Sequence, residues 1–513
     1  MTSPKNKPLA LIILDGWGHS PRTEGNAIAL AHTPNYDAIC SDYPSTTLVA
    51  AGSRVGQAVD ASGNAEVGHL NIGSGRAAPS EAFRVENAIR SGEFTDNHLL
   101  KTTFEQAFED GKPVHLVGLL SDGGIHSSTD SVFTLVRMAK KAGLTEVFVH
   151  CILDGVDVPT RTADIYVEAL EIKLADIGVG KVATLCGRYF AMDNAGNWER
   201  TARAYTLLVH GEGERSSDPV TAIRNSFLRG IADEFIAPVL IESEPDVPVA
   251  TINDGDTVIF FNHRPESIRQ LVRSISVPDA SGVSKPMLNT VCLTEYDRSF
   301  GLPVVFDLKA NENVLSEVLA DAGVPSMKIT QSERFPHLTY FFNGGDDLQQ
   351  PNDNHLLVAA QRDEFAQSQP ESQSFKIADK FITSLESENS GFLVVNFPAA
   401  DLMAESGSIE KTVEAVQFVD TCLGGIVDKI REAGGVALIT STHGNCEEMI
   451  NVLTGEPQPL STPNPVPFHF VSNASAGVNL REGGSLSDVA PTILGILEIV
   501  KPVEMTGSDL RIS

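Results

Sequence analysis

The sequence predicts an α/β protein built on largely parallel sheets. A short apolar run, a polar or glycine-rich cluster and a helix-like segment follow one another repeatedly, as in parallel sheets that helices cover on both faces. With 513 residues, the chain is also too long for one hydrophobic core, which predicts two or more domains. The pattern occurs in LALIILDGWG, VHLVGLLSDGGIHS, VFVHCILDGVD, VATLCGRYFAMD, TVIFFNHR, FLVVNFPAAD and VALITSTHGN.

Composition argues against several classes of protein. The formal net charge of −29 disfavours a nucleic-acid partner, because phosphates need a basic surface. The first apolar run ends at Asp15 and is too short to span a membrane. No small-residue cleavage site marks a signal peptide either. The six cysteines are scattered without metal-type spacing, so we expect a reduced, cytoplasmic protein without a membrane partner.

Polar residues stand at the carboxyl ends of the predicted strands. In parallel α/β sheets these ends carry the functional site. Each such residue taken singly is more often a loop residue or a helix cap, but seven of them together favour a site. They are Asp15, His126, Asp157, Arg188, Arg264, Asp401 and His443.

Two turn-rich joints divide the chain. IGSGRAAPS (72–80) and FGLPVVF (300–306) have the composition of linkers and separate a first part, a middle block and a last part.

The stretch ASGNAEVGHLNIGSGR, residues 61–76, predicts a turn followed by a helix start. Unpaired backbone N–H groups at a helix start favour an anion, and a nucleophilic hydroxyl is often held there. The residue at this point is Ala65, which can neither attack a substrate nor bind a metal.

Further motifs run in order along nearly the whole chain. They are LDGWG, NAIALAHTPNYDAI, GNAEVGHLNIGSGR, GLLSDGGIHS, LDGVDVPTR, GRYFAMD, FFNHR, TYFFNGG, HGNCEE, NPVPF, SDVAPTIL and EMTG. Together they make the chain resemble the cofactor-independent phosphoglycerate mutases, members of the alkaline phosphatase superfamily.

The resemblance implies two α/β domains. An alkaline-phosphatase-like metal domain would comprise residues 1–80 and 306–513, and a phosphotransferase-like substrate domain, 81–305, would be inserted between them. It also implies a cytoplasmic monomer that interconverts 3-phosphoglycerate and 2-phosphoglycerate through a phosphoserine, with two Mn²⁺ ions. Such ions clamp the attacking and leaving oxygens and neutralise the phosphoryl charge.

The residues of the family's catalytic centre are only partly retained. Ala65 stands where the resemblance places the serine nucleophile. Of the positions implied as metal ligands, Asp15, Asp401 and His443 are unchanged, whereas Glu405, Thr442 and Ser461 replace ligands of other types. A carboxylate such as Glu405 still suits a hard cation. We therefore expect no metal, or one weakly bound divalent ion held among Asp15, Asp401, Glu405 and His443.

The implied substrate residues are also partly retained. His126, Asp157, Arg188 and Arg264 match the family, and Arg334 replaces a lysine. Arginines have been replaced by Val156, Asn194 and Ser267. Because each charge-assisted hydrogen bond is worth about 1.5–3 kcal/mol, phosphoglycerate should bind more weakly. The retained set predicts a residual site for a small phosphorylated or carboxylated acid in the middle domain, facing the metal domain.

Three functions remain open. The chain is a catalytically silent homologue that binds or regulates, an enzyme with altered and single-metal chemistry on a phospho- or carboxy-acid, or a phosphoglycerate mutase that works by an unforeseen route.

Overall fold

In a computed structural model the chain forms two compact units, residues 1–80 with 309–513 and residues 81–308. The structure describes residues 7–79, 81–194, 196–277, 285–307, 311–346, 348–359, 370–386, 391–451 and 455–512. The inserted unit ends at residue 308, where the sequence predicted 305. Ser80, the last residue of the first predicted joint, lies outside the described residues.

The discontinuous unit contains an eight-stranded sheet. Its strands, from one edge to the other, are Asp353–Val358, Ser326–Gln331, Phe392–Phe397, Leu9–Leu14, Val436–Thr440, Val466–Ser472, Ser45–Val49 and Gly484–Ser485. The first five run parallel to one another, and Val466–Ser472 is antiparallel to both of its neighbours. A separate two-stranded sheet pairs Asn479–Leu480 with Arg511–Ile512.

Helices cover both faces of this sheet. In strand Leu9–Leu14, Ala10, Ile12 and Leu14 join one hydrophobic core, while Leu9, Leu11 and Ile13 join another on the opposite face. This division follows from the two-residue side-chain period of a strand, and it explains a continuously apolar sequence. The helices are Ala27–Leu30, Pro34–Asp42, Ala65–Ser74, Leu315–Asp321, Pro370–Leu385, Ala399–Ala404, Ile409–Glu432 and Val489–Ile496, with a π-helical turn at His337–Phe341.

The inserted unit contains a second, mainly parallel sheet. Its strands in spatial order are Val304–Phe306, Asn289–Thr294, Thr257–Phe260, Val114–Leu120, Val147–Leu153, Lys181–Gly187, Val239–Glu244 and Glu214–Ser216, with Val247–Pro248 paired to Val239–Glu244. The first six are parallel, and Val239–Glu244 is antiparallel to Lys181–Gly187. The helices are Glu81–Ser91, Glu93–Asp96, His98–Glu109, Thr129–Lys141, Ala163–Ile177, Arg188–Ala191, Trp198–His210, Pro219–Leu228 and Pro265–Ser276.

The predicted α/β class is confirmed, and all seven apolar runs that predicted it are strands. Some neighbouring strands come from distant parts of the sequence, such as Leu9–Leu14 beside Phe392–Phe397, so residues far apart in the chain meet at one sheet edge. In the part of the chain described here, no helix is both long and apolar enough to cross a membrane. All six cysteines are free thiols.

Candidate active site

The helix Ala65–Ser74 begins where the sequence predicted. The side chain of Asn64 caps it by accepting a hydrogen bond from the backbone N–H of Val67 at 2.8 Å. Two glycines let this start approach the loop after strand Val436–Thr440. A Cβ atom on Gly68 would lie 2.4 Å from Cβ of Thr442, and one on Gly63 would lie 2.8 Å from Cβ of His443. The first turn of the helix therefore packs directly against the loop that carries His443.

Ala65 is the first residue of this helix and is buried. Its carbonyl accepts a hydrogen bond from Nδ1 of His69 at 2.7 Å, which fixes that buried imidazole. Burial lowers the pKa of His69, so its ring stays neutral. The helix start is thus fully formed, but residue 65 presents a methyl group.

Asp15 follows strand Leu9–Leu14 and is completely buried. Nδ2 of Asn396 donates to its Oδ2 at 2.8 Å, and the hydroxyl of Thr442 donates to its Oδ1 at 2.6 Å. The Thr442 hydroxyl also lies 3.0 Å from Nδ1 of His443. Both oxygens of this carboxylate are therefore bonded to neutral side chains.

Asp401, in helix Ala399–Ala404, is the centre of a second buried cluster. Its Oδ1 accepts from Nε2 of His443 and Nδ2 of Asn445, each at 3.0 Å. Its Oδ2 accepts from Nη2 of Arg334 at 2.7 Å. The same Nη2 atom donates to Oε1 of Glu405 at 2.9 Å. One guanidinium nitrogen thus bridges two carboxylates.

The charged groups of this cluster shift one another's pKa values. Burial acts to raise the pKa of Asp401, but His443 and Arg334 hold it well below its usual range. Burial acts to lower the pKa of His443, and the adjacent Asp401 carboxylate nevertheless raises it. At neutral pH the cluster therefore contains an ionised Asp401, paired with the guanidinium of Arg334 and hydrogen-bonded to His443.

The inserted unit gathers a different set of charged side chains at the carboxyl edge of its sheet. Nη1 of Arg188 donates to Oδ1 of Asp154 at 2.6 Å and to Oδ1 of Asp157 at 2.7 Å. Nε2 of His126 lies 3.9 Å from Oδ2 of Asp157. Oδ1 of Asp154 also accepts from the backbone N–H groups of Val156 and Asp157, so it shapes this loop.

Arg264 belongs to the same group of charged side chains and follows strand Thr257–Phe260, the neighbour of Val114–Leu120. It precedes helix Pro265–Ser276, whose first-turn proline presets the helical φ angle. Its Nη2 lies 2.6 Å from Oε1 of Glu266, and its backbone N–H donates to the carbonyl of His126. Burial, followed by the charges of Arg264 and Arg188, lowers the pKa of His126 well below its ordinary value. His126 is therefore neutral at neutral pH, and its ring offers one hydrogen-bond donor and one acceptor.

Comparison with known proteins places these two clusters in context. A model of the family described as BPG-independent PGAM N-terminus (iPGM_N) matches residues 85–298. The 2,3-bisphosphoglycerate-independent phosphoglycerate mutase of Clostridium perfringens (strain ATCC 13124) is 41% identical over 507 residues, covering 98% of this chain and 99% of that protein. The protein of the same name from Moorella thermoacetica is 42% identical over 509 residues, covering 98% of each chain.

This chain belongs to the 2,3-bisphosphoglycerate-independent phosphoglycerate mutase family. A crystal structure of Leishmania mexicana phosphoglycerate mutase at low cobalt concentration has the same fold. It superposes with a TM-score of 0.86 at 27% identity, covering 99% of this chain and 98% of that one.

The two Mn²⁺ ions that membership of the phosphoglycerate mutase family implies do not fit the side chains present. Metal ligands direct their lone pairs at one point. Here the oxygens of Asp15 and Asp401 bond to neighbouring donors, and Glu405 bonds to Arg334. Within the described ranges no group of three or more His, Cys, Asp or Glu side chains is arranged to hold an ion. As these oxygens are bonded, they do not fit the single ion expected among Asp15, Asp401, Glu405 and His443.

The structure divides the predicted substrate residues between the two units. His126, Asp157, Arg188 and Arg264 lie in the inserted unit, and Arg334 lies in the other unit with the candidate metal ligands. The three positions that lack the family's arginines differ in setting. Val156 and Asn194 are exposed, whereas Ser267 is buried in the first turn of its helix.

Sequence reasoning missed two of the partners. Asp154 follows strand Val147–Leu153 directly, so the strand-end criterion that selected Asp157 applied to it equally. Asn396 lies within strand Phe392–Phe397, where a polar residue in an otherwise apolar run was the available signal.

Proposed function

We propose that this chain is a catalytically silent member of the phosphoglycerate mutase family that acts by binding. Ala65 carries the proposal. The helix start, its Asn64 cap and the glycines that admit the neighbouring loop are all retained, but the side chain at the nucleophile position has no hydroxyl. Without a nucleophile the two-step transfer through a covalent phosphoenzyme has no first step.

The pairing around Asp401 supports the same proposal. In the transition state of phosphoryl transfer, the oxygens of the phosphoryl group need positive charge beside them. The guanidinium of Arg334 is committed to Asp401 and Glu405 instead. The hydroxyl that replaces the family's aspartate, Thr442, bonds to Asp15.

The ligand that we propose is a small phosphorylated or carboxylated acid bound in the inserted unit. Arg188 makes both of its carboxylate contacts through Nη1, which leaves the three N–H donors on Nη2 and Nε for a ligand. The carboxylates of Asp154, Asp157 and Glu266 lie beside the two arginines, so the affinity is weak and sensitive to salt.

Two measurements test this proposal. With saturating Mn²⁺ and 3-phosphoglycerate, we expect background mutase activity and no stable phosphoenzyme on any seryl residue of the discontinuous unit. In calorimetry at low salt, 3-phosphoglycerate should bind weakly, and Arg264→Met should weaken it further. Turnover above background would contradict silence, and undetectable anion binding by the unmodified protein would contradict the proposed ligand.

A working mutase is the second candidate, and two observations favour it. The relatives that match over nearly the whole chain are named phosphoglycerate mutases. The buried hydroxyl of Thr442 lies between Asp15 and His443. In this route Thr442 Oγ1 would form the new bond to phosphorus as the glycerate O–P bond breaks, and its proton would pass through Asp15 to the departing glycerate oxygen. The reverse steps at the other glycerate hydroxyl would return the phosphoryl group and restore the Thr442 hydroxyl. Thr442 is completely buried, so its hydroxyl is shielded from an incoming substrate, and this route is therefore the second candidate.

Thr442→Val distinguishes the two candidates. If the wild-type chain shows turnover, loss of that turnover in Thr442→Val together with retained folding supports the threonine route. Turnover that persists in Thr442→Val excludes Thr442 as the phosphoryl acceptor.

A further inference from the structure

The cluster of Asp401, Glu405 and Arg334 contains a buried negative charge. The side chain of Asp401 is 1% exposed, so its negative charge needs a permanent positive partner. Membership of the family would assign that partner to a divalent metal ion. In this chain a single atom, Nη2 of Arg334, lies 2.7 Å from Asp401 Oδ2 and 2.9 Å from Glu405 Oε1.

We infer that the guanidinium of Arg334 replaces a divalent cation in this unit and keeps such ions out. It bridges two carboxylates, as a metal ion would, and it bonds to one oxygen of each that a bridging ion would also use. An ion bridging the same oxygens would also be brought close to a fixed positive charge. The Arg334 side chain is 13% exposed and its Nη2 is held by two carboxylates, which fixes its position.

The sequence around Arg334 supports a fixed position for this cation. Arg334 follows strand Ser326–Gln331, which is hydrogen-bonded to strand Phe392–Phe397 in register. Asp401 and Glu405 lie just beyond the end of that second strand. The parallel pairing of two adjacent strands therefore delivers the cation and both anions to one edge.

Removing Arg334 should open the site. In Arg334→Met the carboxylates of Asp401 and Glu405 lose their shared cation, while Nε2 of His443 and Nδ2 of Asn445 stay close to Asp401. The variant also removes the positive charge that would repel an incoming Mn²⁺ ion. The apparent affinity for Mn²⁺ should therefore rise by about tenfold or more over the wild type.

Two control variants make the test specific. Arg76→Met removes a cation of the same unit whose Nη2 bonds to the backbone carbonyl of Glu312 at 2.7 Å and does not bridge two carboxylates. Its Mn²⁺ binding should equal that of the wild type. Adding Glu405→Gln to Arg334→Met should remove the gain, because one of the two released carboxylates is then neutral.

The experiment is a titration with Mn²⁺ alone, read by electron paramagnetic resonance and by the melting temperature of the full chain. A gain in Arg334→Met that Glu405→Gln abolishes and Arg76→Met lacks supports the inference. An Arg334→Met chain with wild-type affinity overturns it, as does a gain that survives Glu405→Gln.

A wild-type measurement keeps the test decisive if Arg334→Met does not fold. Stoichiometric Mn²⁺ binding by the wild type that Asp401→Asn removes would overturn the inference, and its absence would support it. The titration does not depend on the proposed silence, because it measures ion binding, whereas the mutase assay measures turnover.

Discussion

The hydroxyl of Thr442 donates a 2.6 Å hydrogen bond to Oδ1 of Asp15, in a position fully shielded from solvent. Asp15 is one of the residues that the family resemblance assigns to metal binding. Here its carboxylate is held by a neutral hydroxyl and by the amide of Asn396. Asp15 is therefore bonded to neighbouring side chains, close to a helix start that presents the methyl group of Ala65.

Restoring the nucleophile alone should not restore catalysis. We expect Ala65→Ser to leave mutase activity at background with saturating Mn²⁺, because Arg334 still bridges Asp401 and Glu405 and Thr442 still bonds to Asp15. Adding Thr442→Asp, Glu405→His, Ser461→His and Arg334→Lys should recover Mn²⁺ binding. The measurement is a coupled mutase assay beside a Mn²⁺ titration. Substantial turnover by the single variant would show that the metal ligands are adequate as they stand.

Arg188 should be important for stability, although it is a charged side chain. It is 13% exposed and neutralises Asp154 and Asp157, which are 2% and 5% exposed. Arg188→Met leaves two buried carboxylates unpaired, and we expect it to cost about 3–5 kcal/mol of unfolding free energy.

Arg224→Met is the matched control for Arg188→Met in the same unit. Arg224 is 54% exposed and also contacts two carboxylates, Asp164 and Glu168. Exposed pairs contribute about 0–1 kcal/mol, so this variant should unfold almost as the wild type does in urea. Equal losses in the two variants would show that burial does not decide the effect.

The same burial argument applies to two of the predicted anion residues, Arg264 and Arg334. Exposed cations could be replaced by alanine with little effect on the fold, but these two are not exposed. Their side chains are only 11% and 13% exposed, and each pairs with a carboxylate. The double replacement should therefore destabilise the chain, and single methionine variants are the better probes.

Stability should fall in mild acid because of His263. Burial lowers its pKa to about 4, and its Nε2 donates to the carbonyls of Gly124 and Ile125. In the unfolded chain its pKa is about 6.5. The folded-state pKa is thus depressed, so this stabilisation is complete above pH 6.5 and is lost as pH falls toward 4.

His263→Gln should reduce that acid sensitivity, because the amide keeps an N–H donor but does not titrate. We expect a shallower decline of unfolding free energy between pH 6.5 and 4, measured by urea denaturation at each pH. His126 and His150 also have depressed pKa values, so a smaller slope should remain. An unchanged slope would show that His263 is not neutral in the folded protein.

Two glycines within helices should respond in opposite ways to alanine. Gly68→Ala places a methyl group 2.4 Å from Cβ of Thr442, and we expect overpacking to cost about 1–3 kcal/mol. Gly425 lies on an exposed part of helix Ile409–Glu432 with nothing within 4 Å of an added Cβ. Gly425→Ala should stabilise by about 0.5–1 kcal/mol, since glycine is the poorer helix former. Thermal denaturation of both variants measures the difference.

The sequence by itself determined the layers of this protein and the edge that carries its site. Apolar runs such as LALIIL are strands because both of their faces are buried, and Asp15, Asp401 and His443 follow strands at one carboxyl edge. The capped start of helix Ala65–Ser74 was also predictable, because the Gly-Asn turn acts locally. The absence of a hydroxyl at residue 65 is likewise visible in the sequence alone.

Only the tertiary structure decided which charges meet. Arg334 lies 67 residues before Asp401 in the chain, and nothing local to either residue links them. They meet because strand Ser326–Gln331 pairs beside strand Phe392–Phe397. Strand order depends on the packing of whole helices and sheets, whereas a charged residue at a strand end has the same local signature whether its partner is a ligand, a metal ion or another side chain. The sequence therefore indicated a site for ions and anions at this edge. The tertiary structure placed the guanidinium of Arg334 between two of its carboxylates, Asp401 and Glu405.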